Sequence, residues 1–301
     1  MPCYRKEIRA CRPVRLHGGG METGMKRTII VATGNQEKMV EIRQIFASTD
    51  VELITMKEAG IDTDVEENGA TYEENALLKA RAVAKASGQL AIADDSGLEV
   101  DAMGGEPGIH SARWMGHDTS YDIKNREIIR RVDAYCAEKE AGTCAEGTTD
   151  CARKEAGPCA EDAADCARKE AGPCAEDAAD QNAAAADGRH PGCLPDGTPG
   201  PLRSARFVCA VAAVWPDGRE LTVRGVMEGR IHTCQSGWNG FGYDPIFFLP
   251  EYGMTSGSIE RGEKNRISHR GQAFRKLGEI LKKEFQAETG AASDRAAGEN
   301  S

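Results

Sequence analysis

No stretch of the 301-residue chain is apolar for long enough to span a bilayer. The N-terminus, MPCYRKEIRACRPVRLHGGG, is basic but has no apolar core, so it does not read as a secretory signal. No GxGxxG follows a strand and opens a helix, which argues against a Rossmann oxidoreductase. GxxxxGK[ST] is also missing, which excludes a Walker A loop. Eleven cysteines are present, but six of them, Cys136, Cys144, Cys151, Cys159, Cys166 and Cys174, alternate at spacings of seven and eight, which is not the CxxC pattern of zinc sites. With no export signal, the expected compartment is cytoplasmic and reducing, with free thiols. These absences leave no basis for a membrane partner.

What is present is unevenly distributed. The six cysteines belong to a 15-residue repeat, CAEKEAGTCAEGTTD followed twice by CARKEAGPCAEDAAD, over 136–180. This tract holds twelve acidic and five basic side chains, so it supplies −7 of the formal net charge of −10. The rest of the chain is near neutral, and a locally basic phosphate pocket is compatible with it. The repeat has no apolar face, and Gly157-Pro158 and Gly172-Pro173 break it. Residues 136–202 are therefore expected to be an exposed, largely disordered insertion. Residues 1–24 are expected to be a disordered leader, with Met21 or Met25 as alternative starts, and 284–301 a disordered tail.

Outside the insertion the pattern is that of an α/β protein. Strands are predicted at 28–32, 51–55 and 90–93, and a hairpin at 206–214 and 221–227 turns on Pro216-Asp217-Gly218. Helices are predicted at 38–47, 72–87, 119–134 and 269–285. Thr71 and Glu74 suit a capping box, and Gly88 suits the C-terminal stop of the second helix. Strands alternating with helices, plus one hairpin, imply a mixed sheet flanked by helices.

Five stretches carry chemistry. In VATGNQEKMVEI a strand enters a turn and a helix opens, which suits an anion; Asn35 adds an amide and Lys38 a cation. In DVEENGATYEENALLKA, Glu66 and Glu67 lie ahead of the helix, where loop carboxylates can reach a hard cation. In AIADDSGLEV, Asp94 and Asp95 follow a buried run. Neighbours in a continuing strand face opposite ways and share no target, so Asp-Asp-Ser-Gly reads as a strand end and turn that swings at least one carboxylate into a cleft. A divalent ion would relieve the repulsion; desolvation keeping one Asp protonated is the alternative. In SGWNGFGYDPIFFLPEYG, Gly237, Gly240 and Gly242 interleave with Trp238, Phe241 and Tyr243, which suits backbone approach to a ligand and stacking on a base. In EKNRISHRGQAFRKL, Lys264, His269 and Arg270 sit near a helix start, where the dipole disfavours cations and a ligand would favour them.

Together and in this order, ATGNQEKMVEI, ENALLKA, AIADDSGLEVDAMGGEPGIHSARW, GFGYDPIFF and SHRGQA closely resemble the inosine triphosphate pyrophosphatase family, the non-canonical purine NTP pyrophosphatases (XTP/dITP diphosphatases), in its bacterial form. The resemblance covers 25–134 and 203–283, within a domain at 25–283. It implies an elongated two-lobed fold with the site in the cleft between lobes, a homodimer, Mg²⁺, and hydrolysis of ITP, dITP and XTP to the monophosphate and pyrophosphate. It implies that Thr33, Gly34, Asn35, Gln36, Glu37 and Lys38 hold the triphosphate, and that Glu67 and Asp95 organise Mg²⁺, with Asp95 also the base for water. Ser96 would touch substrate, Phe241, Gly242, Tyr243 and Asp244 would face the base, Lys264 would reach phosphate or base, and His269 and Arg270 would read the purine. It implies no nucleic-acid partner. Two alternatives stand beside it: a nucleotide-binding sensor without turnover, and a pyrophosphatase for other modified nucleotides.

Overall fold

The structure is a computed structural model, described here over residues 27–146, apart from 48, 50 and 64, and over 190–298. Its strands are β1 (Arg27–Val31), β2 (Val51–Thr55), β3 (Ala91–Val100), β4 (Ser204–Val214), β5 (Glu220–Ile231), β6 (Phe247–Leu249) and β7 (Met254–Thr255). Its helices are α1 (Gln36–Ile45), α2 (Tyr72–Ser87), α3 (Tyr121–Glu146), α4 (Arg261–Ile267) and α5 (His269–Gly298). The strands form one mixed sheet in the order β2-β1-β3-β4-β5-β6-β7. β1 is parallel to β2 and β3, and every later pairing is antiparallel.

Local sequence explains most boundaries. α2 starts where Thr71 accepts a hydrogen bond from the Glu74 amide, and it stops at Gly88, whose φ of 65° a side chain would resist. α1 starts two residues earlier than periodicity predicts, because the Asn35 side chain caps the amides of Glu37 and Lys38. The β4–β5 hairpin is longer than predicted, since pairing runs from Val214↔Glu220 to Ser204↔Arg230.

Side chains alternate across the sheet and build three main cores. Ile29, Val31, Ile92, Val211 and Ala213 pack on one face under Met39 and Ile42 of α1 and Phe274 and Leu277 of α5. Ile30, Ala91, Ala93 and Ala212 face the other way, onto Ala76, Ala80 and Val83 of α2. Further along the same long strands, Leu98, Val100, Phe207 and Met227 meet Ile128 and Val132 of α3, with Tyr243 and Phe247. A polar gap at Asp94–Ser96 lies along β3 between the first two cores and this one.

The expected insertion boundaries are corrected by packing. α3 does not stop at 134; it runs to Glu146, and Cys136 is wholly buried in the α3 core. Burial pushes the Cys136 thiol up to about 11. The chain re-enters with Pro191 and Gly192 buried, and a Cβ on Gly192 would lie 2.4 Å from the Cys136 sulfur. The wholly buried Arg203 locks this junction. Its Nε donates to the Ile231 carbonyl at 2.7 Å, and its Nη1 donates at 2.7 Å to both Asp133 Oδ1 and the Pro191 carbonyl. The tail expected from 284 is likewise corrected, because α5 continues to Gly298. The leader at 1–24 and the bulk of the repeat lie outside the described residues.

Replacing 147–189 with a short Gly/Ser linker should leave the thermal midpoint within about 2 °C, because loop length changes closure entropy only slowly. Replacing 136–200 should lower the unfolding free energy by about 3 kcal/mol or more, since it removes a core residue and the Pro191 acceptor of a buried guanidinium. Thermal and urea unfolding of the two deletions checks both.

Candidate active site

The Asp pair does not sit in a turn. β3 continues through it, paired with β4 from Ala91↔Val214 to Val100↔Ala205. The expectation of a strand end is therefore corrected, and the reason is tertiary: β4 supplies the ladder that Asp-Asp-Ser-Gly does not advertise. On its other side, β3 pairs with β1 only at Ile30↔Ala91 and Val31↔Ile92. Past Ile92 that edge has left β1 behind, at the carboxyl ends of β1 and β2. This is where ligands bind in open α/β sheets.

Strand alternation sends the two carboxylates to opposite faces. Asp94 joins Ile92 on the α1/α5 side. It is 2% exposed, its Oδ2 accepts Lys38 Nζ at 2.7 Å, and Arg270 Nε lies 3.7 Å away. Its Oδ1 is buried with no hydrogen-bond partner among the described residues. Burial pushes this carboxyl up, but Lys38, Arg270 and Lys79 outweigh that and hold it well below the usual carboxylate range. Asp95 faces α2. Its Oδ2 accepts Asn75 Nδ2 at 3.1 Å, and Lys79 Nζ stands 3.7 Å from Oδ1 and 3.1 Å from Glu67 Oε1. Burial raises the Asp95 carboxyl and Glu67 adds to the rise; Lys79, Asn75 and Lys38 offset only part of it. The pair therefore differs in kind, with one carboxylate locked in its ionised form and the other displaced toward neutrality.

The Thr33–Lys38 turn is open. Gly34, Asn35, Gln36 and Glu37 are exposed, while Thr33 is half-buried and its Oγ1 accepts the Asn35 amide at 3.2 Å. The Asn35 amide oxygen is not free, because it caps α1.

On the α1/α5 face, the Phe241 ring has Lys264 Nζ and the Arg270 guanidinium carbon each 5.5 Å from its centroid. Arg270 is buried; it pairs with Glu41 and donates to Ser96 Oγ at 3.3 Å. Asp244 is also buried. Its Oδ2 accepts Lys264 Nζ at 2.7 Å and the Phe241 amide at 2.9 Å, and its Oδ1 accepts Ser256 Oγ at 2.8 Å. Gly242 (φ 69°) has the Tyr121 ring beside it.

Not every predicted contact residue faces the cavity. Tyr243 is 4% exposed within the α3 core, and its hydroxyl donates to the Ser111 carbonyl at 2.8 Å. The His269 ring stacks on Phe207 with centroids 4.8 Å apart. Burial, with Arg270, Lys264 and Lys38 nearby, holds His269 well below its ordinary value, so it is neutral at physiological pH. The residues that converge are Lys38, Ser96, Phe241, Lys264 and Arg270 around Asp94, and Glu67 with Asp95 across the strand. A cavity of about 110 Å³ opens beside Phe241 and Lys264, lined also by Glu37, Val40, Glu41, Asn239, Gly240 and Arg261. A larger open groove of about 650 Å³, with Arg261, Arg266 and Arg275 in its wall, contains none of the converging residues.

The sequence profile of the Ham1 family matches residues 29–157 and 169–280, covering both clusters. The chain belongs to the Ham1 family. The dITP/XTP pyrophosphatase of Nitratidesulfovibrio vulgaris is 36% identical over 85% of this chain and 96% of its own length. That of Exiguobacterium sibiricum is 34% identical over 83% and 94%. The Ham1 protein structure from Staphylococcus aureus superposes with a TM-score of 0.55 at 32% identity, covering 86% of this chain and all of that one. A Ham1 structure from Coxiella burnetii gives 0.55 at 29% identity, covering 85% and 99%.

Three residues of this site are absent from the sequence-based set, Glu41, Asn75 and Lys79, and Asp94, singled out with Asp95, has no role of its own there. Asn75 and Lys79 had a readable signal, because they stand four residues apart on the α2 face that otherwise buries Ala76, Ala80 and Val83. Asn75 is wholly buried and links two parts of the site: its Nδ2 donates to Asp95, and its Oδ1 accepts the Gly69 amide at 2.8 Å, in the loop that carries Glu67. Asn75→Ala should therefore lower the unfolding free energy by about 2–4 kcal/mol by leaving both groups unpaired. Asn75→Asp keeps the Gly69 acceptor and should recover part of that loss while facing Asp95 with a like charge. Urea unfolding, with hydrogen exchange at the Gly69 amide, checks the order.

Proposed function

We propose that the protein hydrolyses non-canonical purine nucleoside triphosphates, ITP, dITP and XTP, to the monophosphate and pyrophosphate, cleansing the nucleotide pool. The observation that carries this reading is the division of labour across β3. Lys264 and Arg270 flank Phe241 on one face, where Lys38 and Arg270 also meet Asp94. Glu67 and Asp95 converge on the other. A flat base with an anionic tail suits the first set, and attack by water suits the second.

Thr33, Gly34, Gln36, Glu37 and Lys38 hold the triphosphate along the open turn, with Asn35 fixing the helix start beneath it. Ser96 touches substrate, Phe241 stacks on the purine, and Gly242, Tyr243 and Asp244 hold the wall behind it. Lys264 and Arg270, with His269 below them, read the phosphate or base edge.

The donor set fits Mg²⁺. Glu67 and Asp95 offer hard oxygens on either side of Lys79, and Arg113 lies 4.0 Å from Glu67. No cage of three or more acidic, His or Cys groups exists among the described residues, and Mg²⁺ needs none, since it takes one or two carboxylates and completes its shell with water and phosphate. When bound, Mg²⁺ would neutralise phosphate charge and acidify water. Asp95 takes the proton from the attacking water. On this reading the protein acts as a cytoplasmic homodimer on a purine nucleoside triphosphate. Separately, no described helix is long and apolar enough to cross a membrane.

Incubating the protein with ITP and Mg²⁺ should yield IMP and pyrophosphate, resolved by anion-exchange chromatography. IDP and orthophosphate as first products would overturn the reading, and binding without turnover would favour a sensor. Asp95→Asn should lower kcat by roughly 10²-fold or more if the carboxylate is the base, with an unchanged thermal midpoint. Turnover close to wild type would remove Asp95 from the chemistry.

A further inference from the structure

Trp238 is 82% exposed, in contrast to Trp215 at 7%. This exposure is imposed by the backbone around it. The Ser236 amide donates to the Pro245 carbonyl at 2.8 Å, and the Asn239 amide donates to the Gly257 carbonyl at 2.7 Å. Thr255 Oγ1 donates to the Ser236 carbonyl at 2.7 Å. Between these ties Gly237 has a φ of 81°, and a Cβ there would lie 2.2 Å from the Gly257 backbone. A loop fixed on both sides thus holds an indole in water, where its apolar surface is unfavourable.

Its position gives the reason. The next three residues, Asn239, Gly240 and Phe241, line the cavity. Val40, 45% exposed, lines the same cavity, and Tyr121, 38% exposed, packs beside Gly242. The mouth is therefore apolar and aromatic at its rim, while inside it Arg261 and Lys264 stand with Glu37 and Glu41. On the nucleotide reading of the site, the flat heteroaromatic base is the part of the ligand that suits this rim. We propose that Trp238 is a further nucleotide-binding residue, whose indole packs on the part of the bound purine nucleotide that Phe241 leaves open to solvent. This assignment rests on the nucleotide reading of the site, but not on hydrolysis.

The test uses the intact protein and IMP, without metal or turnover. IMP should quench the wild-type tryptophan emission, and Trp238→Phe should abolish that quench while keeping affinity within about threefold. Trp238→Ala should weaken IMP binding about tenfold by calorimetry, the lower part of the range for one base–aromatic stack. With ITP it should raise KM more than it lowers kcat. Unchanged IMP affinity in Trp238→Ala would overturn the assignment. So would a wild-type emission that ignores IMP and responds only to protein concentration, because the indole would then face a second copy of the chain. If IMP binds with the Trp238-dependent quench but ITP releases no pyrophosphate, the assignment stands and only the hydrolytic reading falls.

Discussion

The arrangement of this protein depends on two adjacent carboxylates in one unbroken strand. Asp94 and Asp95 are nearly buried, at 2% and 6% exposure, between apolar cores built on the same long strands. A buried charge left unpaired costs several kcal/mol. Because a strand alternates its side chains, neither aspartate can use the other's partners. Each face must therefore bring its own cation: Lys38 and Arg270 from α1 and α5, and Lys79 from α2. The two sets still act on each other around the open edge of β3, where Lys79 lowers the Asp94 carboxyl and Lys38 lowers that of Asp95.

The cations are themselves held by further carboxylates. Glu41 pairs with Arg270 and lies 3.8 Å from Lys264, while Asp244 holds Lys264 and the Phe241 amide together. Groups held this way need little reorganisation when an anion arrives, which is what an electrostatic site requires. The same ties explain why Asp244 stays behind the cavity wall: all its hydrogen bonds go to the loop, Ser256 and Lys264.

The chain leaves the described domain after α3 and re-enters it at His190. The junction is anchored by Arg203, by Cys136 in the core, and by the Gly192 amide donating to Glu140 at 2.9 Å. A chain that leaves and returns at an anchored junction can carry added length at small entropic cost.

The sequence alone determined what depends on neighbours along the chain. The α2 boundaries follow from Thr71, Glu74 and Gly88, β2 from a short β-branched run, and the hairpin from Pro216-Asp217-Gly218. The family was legible because five short motifs recur in one order. What only the tertiary structure decided was direction and extent. Asp-Asp-Ser-Gly reads locally as a turn, but pairing with β4 carries β3 straight through it and splits the carboxylates between faces. Cys136 reads as part of a polar repeat, but α3 packs it into a core. Tyr243 and His269 read as ligand contacts, but Ser111 and Phe207, far away in sequence, draw them inside. Local propensity fixes where an element begins; partners distant in the chain fix where it ends and which way its side chains point, because the ladder bonds and buried contacts that decide these form only after the fold has closed.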